Sequence, residues 1–311
     1  MRKAPLLAAL LVMASAPLFA QRGAAPFSVK ESGRGFATLQ EAVDAVGGGA
    51  ATIEIAPGTY RECAVQRDGR IAYTAREPGT AIFDGVACDG KAALVLGGRE
   101  ARVEGLVFQN IAVPDRNGAG IRLESGNLIV RESMFRDSEQ GILTASDPRA
   151  SVRIEQSTFS GLGLCPDGGD CAHSIYIGDV ASLSVVRTRF ERGRGGHYAK
   201  TRAPRVEIID SSFDDSEGRS TNYMIDLSNG GTGTIARNTF VQGRNKENYS
   251  ALIFVGPEGN ENSSDGLAIV ENDASLAPGA RGTTFVADGS GADLRIENNR
   301  LGGEIARYAR R

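Results

Sequence analysis

From about residue 101 onward, apolar and polar positions recur in one arrangement: two apolar residues at alternate positions, a small polar residue, then an apolar one. It reads Val103 to Phe108, Leu128-Val130-Ser133-Phe135, Val152-Ile154-Ser157-Phe159, Leu183-Val185-Thr188-Phe190, Val206-Ile208-Ser211-Phe213, Ile235-Asn238-Phe240, Leu267-Ile269-Asn272-Ala274 and Leu294-Ile296-Asn299-Leu301. The final apolar positions lie 23 to 34 residues apart, a spacing of stacked coils rather than of a closed globular topology. The pattern predicts short strands whose alternate residues face a continuous core. The polar column predicts turns in which side chains hydrogen-bond to neighbouring backbone, a scaffold role.

A second strand column precedes each unit, at Gly141 to Thr144, Ser174 to Ile177, Tyr198 to Arg202, Asn222 to Leu227 and Ser250 to Val255. With Ile175, Ala199, Ile225 and Leu227 inward, strict alternation puts Tyr176, Tyr198, Lys200, Arg202, Asn222, Met224 and Asp226 outward. One exposed face then collects most of the unusual polar residues.

Residues 36–60, FATLQEAVDAVGGGAATIEIAPGTY, place a helical pattern (Leu39, Ala42, Val43, Val46) before a glycine break, a short alternating strand (Ile53, Ile55) and a Pro57-Gly58 turn. A solenoid leaves its core open at each end, so an amphipathic helix over about 37–47 is expected to close the first coil. This opening, with the coils that follow, resembles the pectin-lyase-like right-handed parallel β-helix superfamily. The resemblance implies an all-β, single-domain right-handed parallel β-helix over 26–311.

The first residues combine Arg2 and Lys3 with a short apolar stretch and small residues, the pattern of a secretory signal peptide over 1–20. The expected location is periplasmic or secreted, with no membrane span. The formal net charge is -3, and more negative without the leader, so the surface as a whole offers nucleic acid no general attraction. Four cysteines allow three connectivities, of which Cys63–Cys88 with Cys165–Cys171 is favoured. Their spacings and the presence of only two histidines speak against a metal site.

Within this acidic chain, residues 187–205 carry seven basic residues against one acid, which points to a local site for an anion. Lys200 and Arg202, two apart on one strand, should face the same way, and His173 and His197 open successive coils. The pair of cations resembles the basic equipment of β-helix polysaccharide lyases. That resemblance implies β-elimination on a uronate: Lys200 or His197 as base, Arg202 on the carboxylate, and Tyr176 or His173 protonating the departing oxygen. Arg194, Tyr198, Asn222, Tyr223, Asp226, Asn229 and Glu258 are the expected substrate-binding residues, with Asp226 facing Lys200 one coil earlier.

The segments HSIYIG, GHYAKTRA, NYMIDLSNGG and GPEG are similar to those of uncharacterised right-handed β-helix repeat proteins exported by bacteria. RAPR at Arg202 to Arg205 resembles the arginine-proline signature of calcium-dependent pectate lyases, but no clustered aspartates accompany it, so no cofactor is expected. The expected partner is an acidic polysaccharide or oligosaccharide met by a monomer. The alternatives are an inverting glycoside hydrolase using Asp226 with Asp179 or Glu258, a uronate C5-epimerase, and a non-catalytic glycan-binding or envelope scaffold.

Overall fold

The computed structural model describes residues 25–165 and 170–311. The signal-peptide expectation for 1–20 therefore lies outside the described residues. The chain winds as a right-handed parallel β-helix with three sheets of twelve, ten and ten strands. Each coil supplies one short strand to each sheet, so that inside the stack the strands pair in parallel with their counterparts in the coils before and after.

The repeat maps onto this register without a slip. Phe108, Phe135, Phe159, Phe190, Phe213, Phe240, Ala274 and Leu301 pair successively in one column, and the column extends back through Phe83 to Tyr60. From Phe108 to Phe240 the rings stack with centroids 4.8 to 5.1 Å apart. Identical rings at coil spacing both fill the core and gain from offset stacking. The polar column is structural, as its chemistry implied. Ser157 Oγ accepts the Ser133 N–H at 3.2 Å, Asn238 Oδ1 accepts from Ser211 at 2.9 Å, and Asn299 Oδ1 from Asn272 at 2.9 Å.

The capping helix spans Leu39–Val46 and buries Leu39, Ala42 and Val43 over the first coil. Thr38 caps it reciprocally with Glu41, a capping box the sequence contains and that satisfies free helical N–H groups. An antiparallel hairpin, Phe27–Val29 with Arg34–Phe36, adds an unforeseen edge to the first sheet. Both favoured disulfides form, Cys63–Cys88 and Cys165–Cys171. Among the described residues no helix is long and apolar enough to cross a membrane.

One expectation about facing is corrected. In three successive coils the third-sheet strands begin only at Ile175, Ala199 and Ile225, each preceded by a bend at Ser174, Tyr198 or Met224. The bend turns residue 198 inward beside residue 199, breaking the period-two alternation. Tyr198 and Met224 are consequently core residues, 1% and 0% exposed, rather than groove residues.

Candidate functional site

The same bend that buries Tyr198 carries His197 onto the outer face. Register therefore lays two columns side by side: Tyr176, Lys200 and Asp226 pair across coils in one, while His173, His197 and Tyr223 stand three residues earlier in the other. His173 and His197 stack with centroids 4.9 Å apart, and Tyr223 continues the stack at 5.2 Å. Tyr176, Lys200, Arg202, His173 and His197 line a groove of about 590 Å³, with Glu258 at its rim.

Electrostatics in the groove centre on Lys200. Its Nζ lies 3.4 Å from Asp226 Oδ2 and also donates to Glu258 Oε1. Burial works to lower the Lys200 pKa, but the charges of Asp226 and Glu258 outweigh it and hold the ammonium above its ordinary value. Asp226 also accepts from Ser228 at 3.1 Å and faces His197 Nε2 at 3.2 Å. Burial pushes its carboxyl up to about 6, against the pull of Lys200.

Arg202 donates through Nε to the Tyr176 phenolic oxygen at 3.0 Å and through its terminal nitrogens to Asn229 and Glu258. Lys200 Nζ stands 5.5 Å from the centre of the Tyr176 ring, a cation–π contact. Burial works to raise the Glu258 carboxyl, yet Lys200 and Arg202 together hold it below the usual carboxylate range.

The histidines are set differently from the sequence expectation. His173 Nδ1 accepts the His197 N–H at 3.0 Å, and His197 Nδ1 accepts the Tyr223 N–H at 3.1 Å. An imidazole nitrogen that accepts must be unprotonated, so this network assigns the proton of each neutral ring to Nε2. Burial, with Lys200 adding to it, drives His173 down to about 3, and burial drives His197 well below its ordinary value. Neither ring has a free lone pair turned to the groove, so the assignment of His197 as a general base and His173 as an acid near neutrality is corrected. Both rings present Nε2–H rather than a lone pair, that of His197 lying 3.2 Å from Asp226 Oδ2 and that of His173 having no partner among the described residues.

Other expected residues fall outside the groove. Arg194 is exposed and donates to the Ser138 carbonyl at 3.1 Å, away from the site. Asn222 is used in its own turn: its Oδ1 accepts the Tyr223 N–H at 2.9 Å and the Asn248 side-chain amide at 3.1 Å. Tyr198 donates to Asp215 at 2.7 Å, inside a buried network with Lys246 and Thr221 that the sequence did not announce. Asn117, at the groove's other end, was also missed; only the register of earlier coils brings it there.

Cys165, Cys171 and Glu247 converge, but the two sulfurs are bonded to each other and offer no thiolate to a metal. The histidines present N–H groups rather than lone pairs. The donor set suits hydroxyl and carboxylate ligands instead.

No family model matches the chain, and no curated protein matches it. Two solved structures are similar in shape. One, Geobacillus virus E2 ORF18, is 12% identical with a TM-score of 0.49 over 85% of this chain and 54% of that one. The other, the Streptococcus pneumoniae surface protein and adhesin PfbA, is 10% identical with a TM-score of 0.40 over 88% and 94%. This chain thus spans about half the length of the viral protein.

Proposed function

We propose that the protein is an exported member of the pectin-lyase-like superfamily that cleaves a uronate-containing polysaccharide by β-elimination. The observation that carries this reading is the Tyr176 phenol, held at 3.0 Å by Arg202 Nε with Lys200 5.5 Å from its ring centre, in an open groove. Elimination needs a carboxylate neutralised beside a proton-transfer group, and these three side chains supply both functions.

In this reading Lys200 and Arg202 draw in the uronate carboxylate and make the C5 proton more acidic. Tyr176, as its phenolate, takes that proton. The C5–H electrons become the C4–C5 double bond, the C4–O bond breaks, and the phenol returns the proton to the departing oxygen. His173 contributes its Nε2–H to negative charge on the carboxylate. The base role moves to Tyr176 because Lys200 stays charged between two carboxylates and the imidazole lone pairs are occupied.

Polyuronates incubated with the protein should yield an ultraviolet-absorbing unsaturated uronate, and Tyr176→Phe should lower that rate by about 100-fold or more while melting normally. Product from no polyuronate sinks the elimination, and undiminished activity in Tyr176→Phe sinks the assigned base. A uronate C5-epimerase would use the same proton abstraction and give no unsaturation.

A second reading, a non-catalytic binder of acidic glycans, is favoured by one feature: both cations are already paired at rest with Glu258. It predicts affinity that survives Tyr176→Phe and no product. The inverting hydrolase gains no support. Asp226 and Glu258 both pair with the Lys200 ammonium, so neither carboxylate stands free as the acid or base of an inverting pair. Asp179 is exposed and does not line the groove.

A further inference from the structure

We infer that Glu258 is an internal stand-in for the ligand's carboxylate, seated in the subsite between Lys200 and Arg202 and displaced when an acidic sugar binds. The inference rests on the reading of the ligand as a uronate, and it requires binding only, not elimination.

Glu258 divides its two oxygens between two cations, Oε1 to Lys200 and Oε2 to Arg202. One carboxylate bridging two cations is the arrangement a uronate would adopt there, since an arginine fork and a neighbouring ammonium both favour carboxylate oxygen. The two acids of the site are not equivalent. Asp226 lies beneath Lys200 with its side chain 2% exposed and is held by Ser228 and His197 as well. Glu258 reaches in from the rim with its side chain 39% exposed and has no other side-chain partner among the described residues.

The loop that carries Glu258 is tied down by its backbone. The Glu258 N–H donates to the Ser228 carbonyl at 2.9 Å, the Asn262 N–H to Asn229 at 3.0 Å, and the Asn262 amide to the Arg202 carbonyl at 3.0 Å. Exchange therefore needs only a side-chain swing. When it occurs, Lys200 keeps Asp226, and Arg202 keeps Tyr176 and Asn229. The subsite remains assembled, and an incoming carboxylate restores the charge balance that Glu258 supplied.

Specificity follows from that balance. A neutral sugar offers no charge in exchange for Glu258, so it would leave two cations short of one anion. A uronate replaces like with like. Glu258 thus sets the site against neutral glycans while lowering its affinity for acidic ones by competition.

The test titrates D-glucuronate into the wild-type protein and into Glu258→Gln, followed by NMR of the Lys200 and Arg202 side-chain groups. Glu258→Gln should bind at least about tenfold more tightly, and Glu258→Gln with Arg202→Gln should lose the gain. Equal or weaker binding by Glu258→Gln, or none, overturns the proposal and makes Glu258 a counterion that holds the cations in place. A crystal of the wild-type protein soaked in D-glucuronate gives a check independent of the variant's stability: Glu258 still bridging both cations beside bound sugar overturns it too. Improved glucuronate binding with no cleavage of any polyuronate would sink the elimination and leave this inference standing.

Discussion

His173 Nδ1 accepts the backbone N–H of His197 across one coil, at 3.0 Å. Protonating His173 would turn that acceptor into a second donor and break the bond, so the stacked pair is held neutral by geometry as well as by burial. This makes the imidazoles part of the groove's architecture and ties the protein's stability to pH.

The sign of that dependence follows from the direction of each shift. His173, lowered from 6.5 to about 3, contributes stability that is full above pH 6.5 and lost as the pH falls toward 3, and His197 shifts the same way. Asp226, raised from 3.8 to about 6, contributes stability that is full below pH 3.8 and lost as the pH rises through 6. Between pH 6 and 4 two imidazoles oppose one carboxyl, so these groups make acidification destabilising. Urea denaturation at a series of pH values should show a shallower dependence in His173→Gln and a steeper one, by about one proton, in Asp226→Asn. Identical slopes in all three proteins would contradict the arrangement.

Gly196 lies immediately before His197 at φ 59°, where a Cβ would fall 2.2 Å from the Ala172 carbonyl oxygen and 2.5 Å from His173 Nδ1. Backbone is in the way and the conformation itself disfavours a side chain. Gly196→Ala should cost about 2 kcal/mol or more, read as a lowered urea midpoint. It should also displace His173, so an unchanged imidazole NMR spectrum would count against this packing.

Lys246 and Asp215 form an ion pair with both side chains fully buried, and the ammonium also donates to Thr221 and to the Asn222 carbonyl. Lys246→Met would leave the Asp215 carboxylate buried without its cation, a loss of about 3–5 kcal/mol. Replacing both, Lys246→Met with Asp215→Leu, should recover much of it, because two apolar groups need no desolvated charge. Chemical denaturation of the two variants separates these outcomes, and equal losses would show that the polar network rather than the unpaired charge dominates.

Phe190 sits between Phe159 and Phe213 in the core ladder, 4.9 Å from each. Phe190→Ala should destabilise by about 3–5 kcal/mol, since a stacked column held on both sides by backbone registers has little freedom to collapse into the gap. The loss is measured by urea unfolding. A loss under about 1 kcal/mol would mean that neighbouring rings close the cavity.

Much of this architecture is legible along the chain. The phenylalanine column and its Ser, Thr and Asn turn column were readable because each coil repeats the same core position at short range, and register carries one coil's pattern onto the next. Lys200 opposite Asp226 was readable for the same reason. Tyr198 was placed wrongly, because alternation is a rule for extended strand and this residue lies in the bend that precedes it, while Arg194, expected from the basic run alone, stands outside the groove. The exclusion of the histidines from proton transfer was not legible at all: it depends on which backbone N–H each Nδ1 meets in the next coil.

The sequence by itself determined the solenoid, its capping helix and the face on which cations gather, because these follow from local periodicity and composition repeated coil after coil. The tertiary structure decided which of those side chains reach solvent, that Lys200 is held charged between two carboxylates, and that Glu258, from a loop two coils on, closes over both cations. Those outcomes turn on a one-residue bend and on distances between coils, where charge and hydrogen bonding act over only a few ångströms.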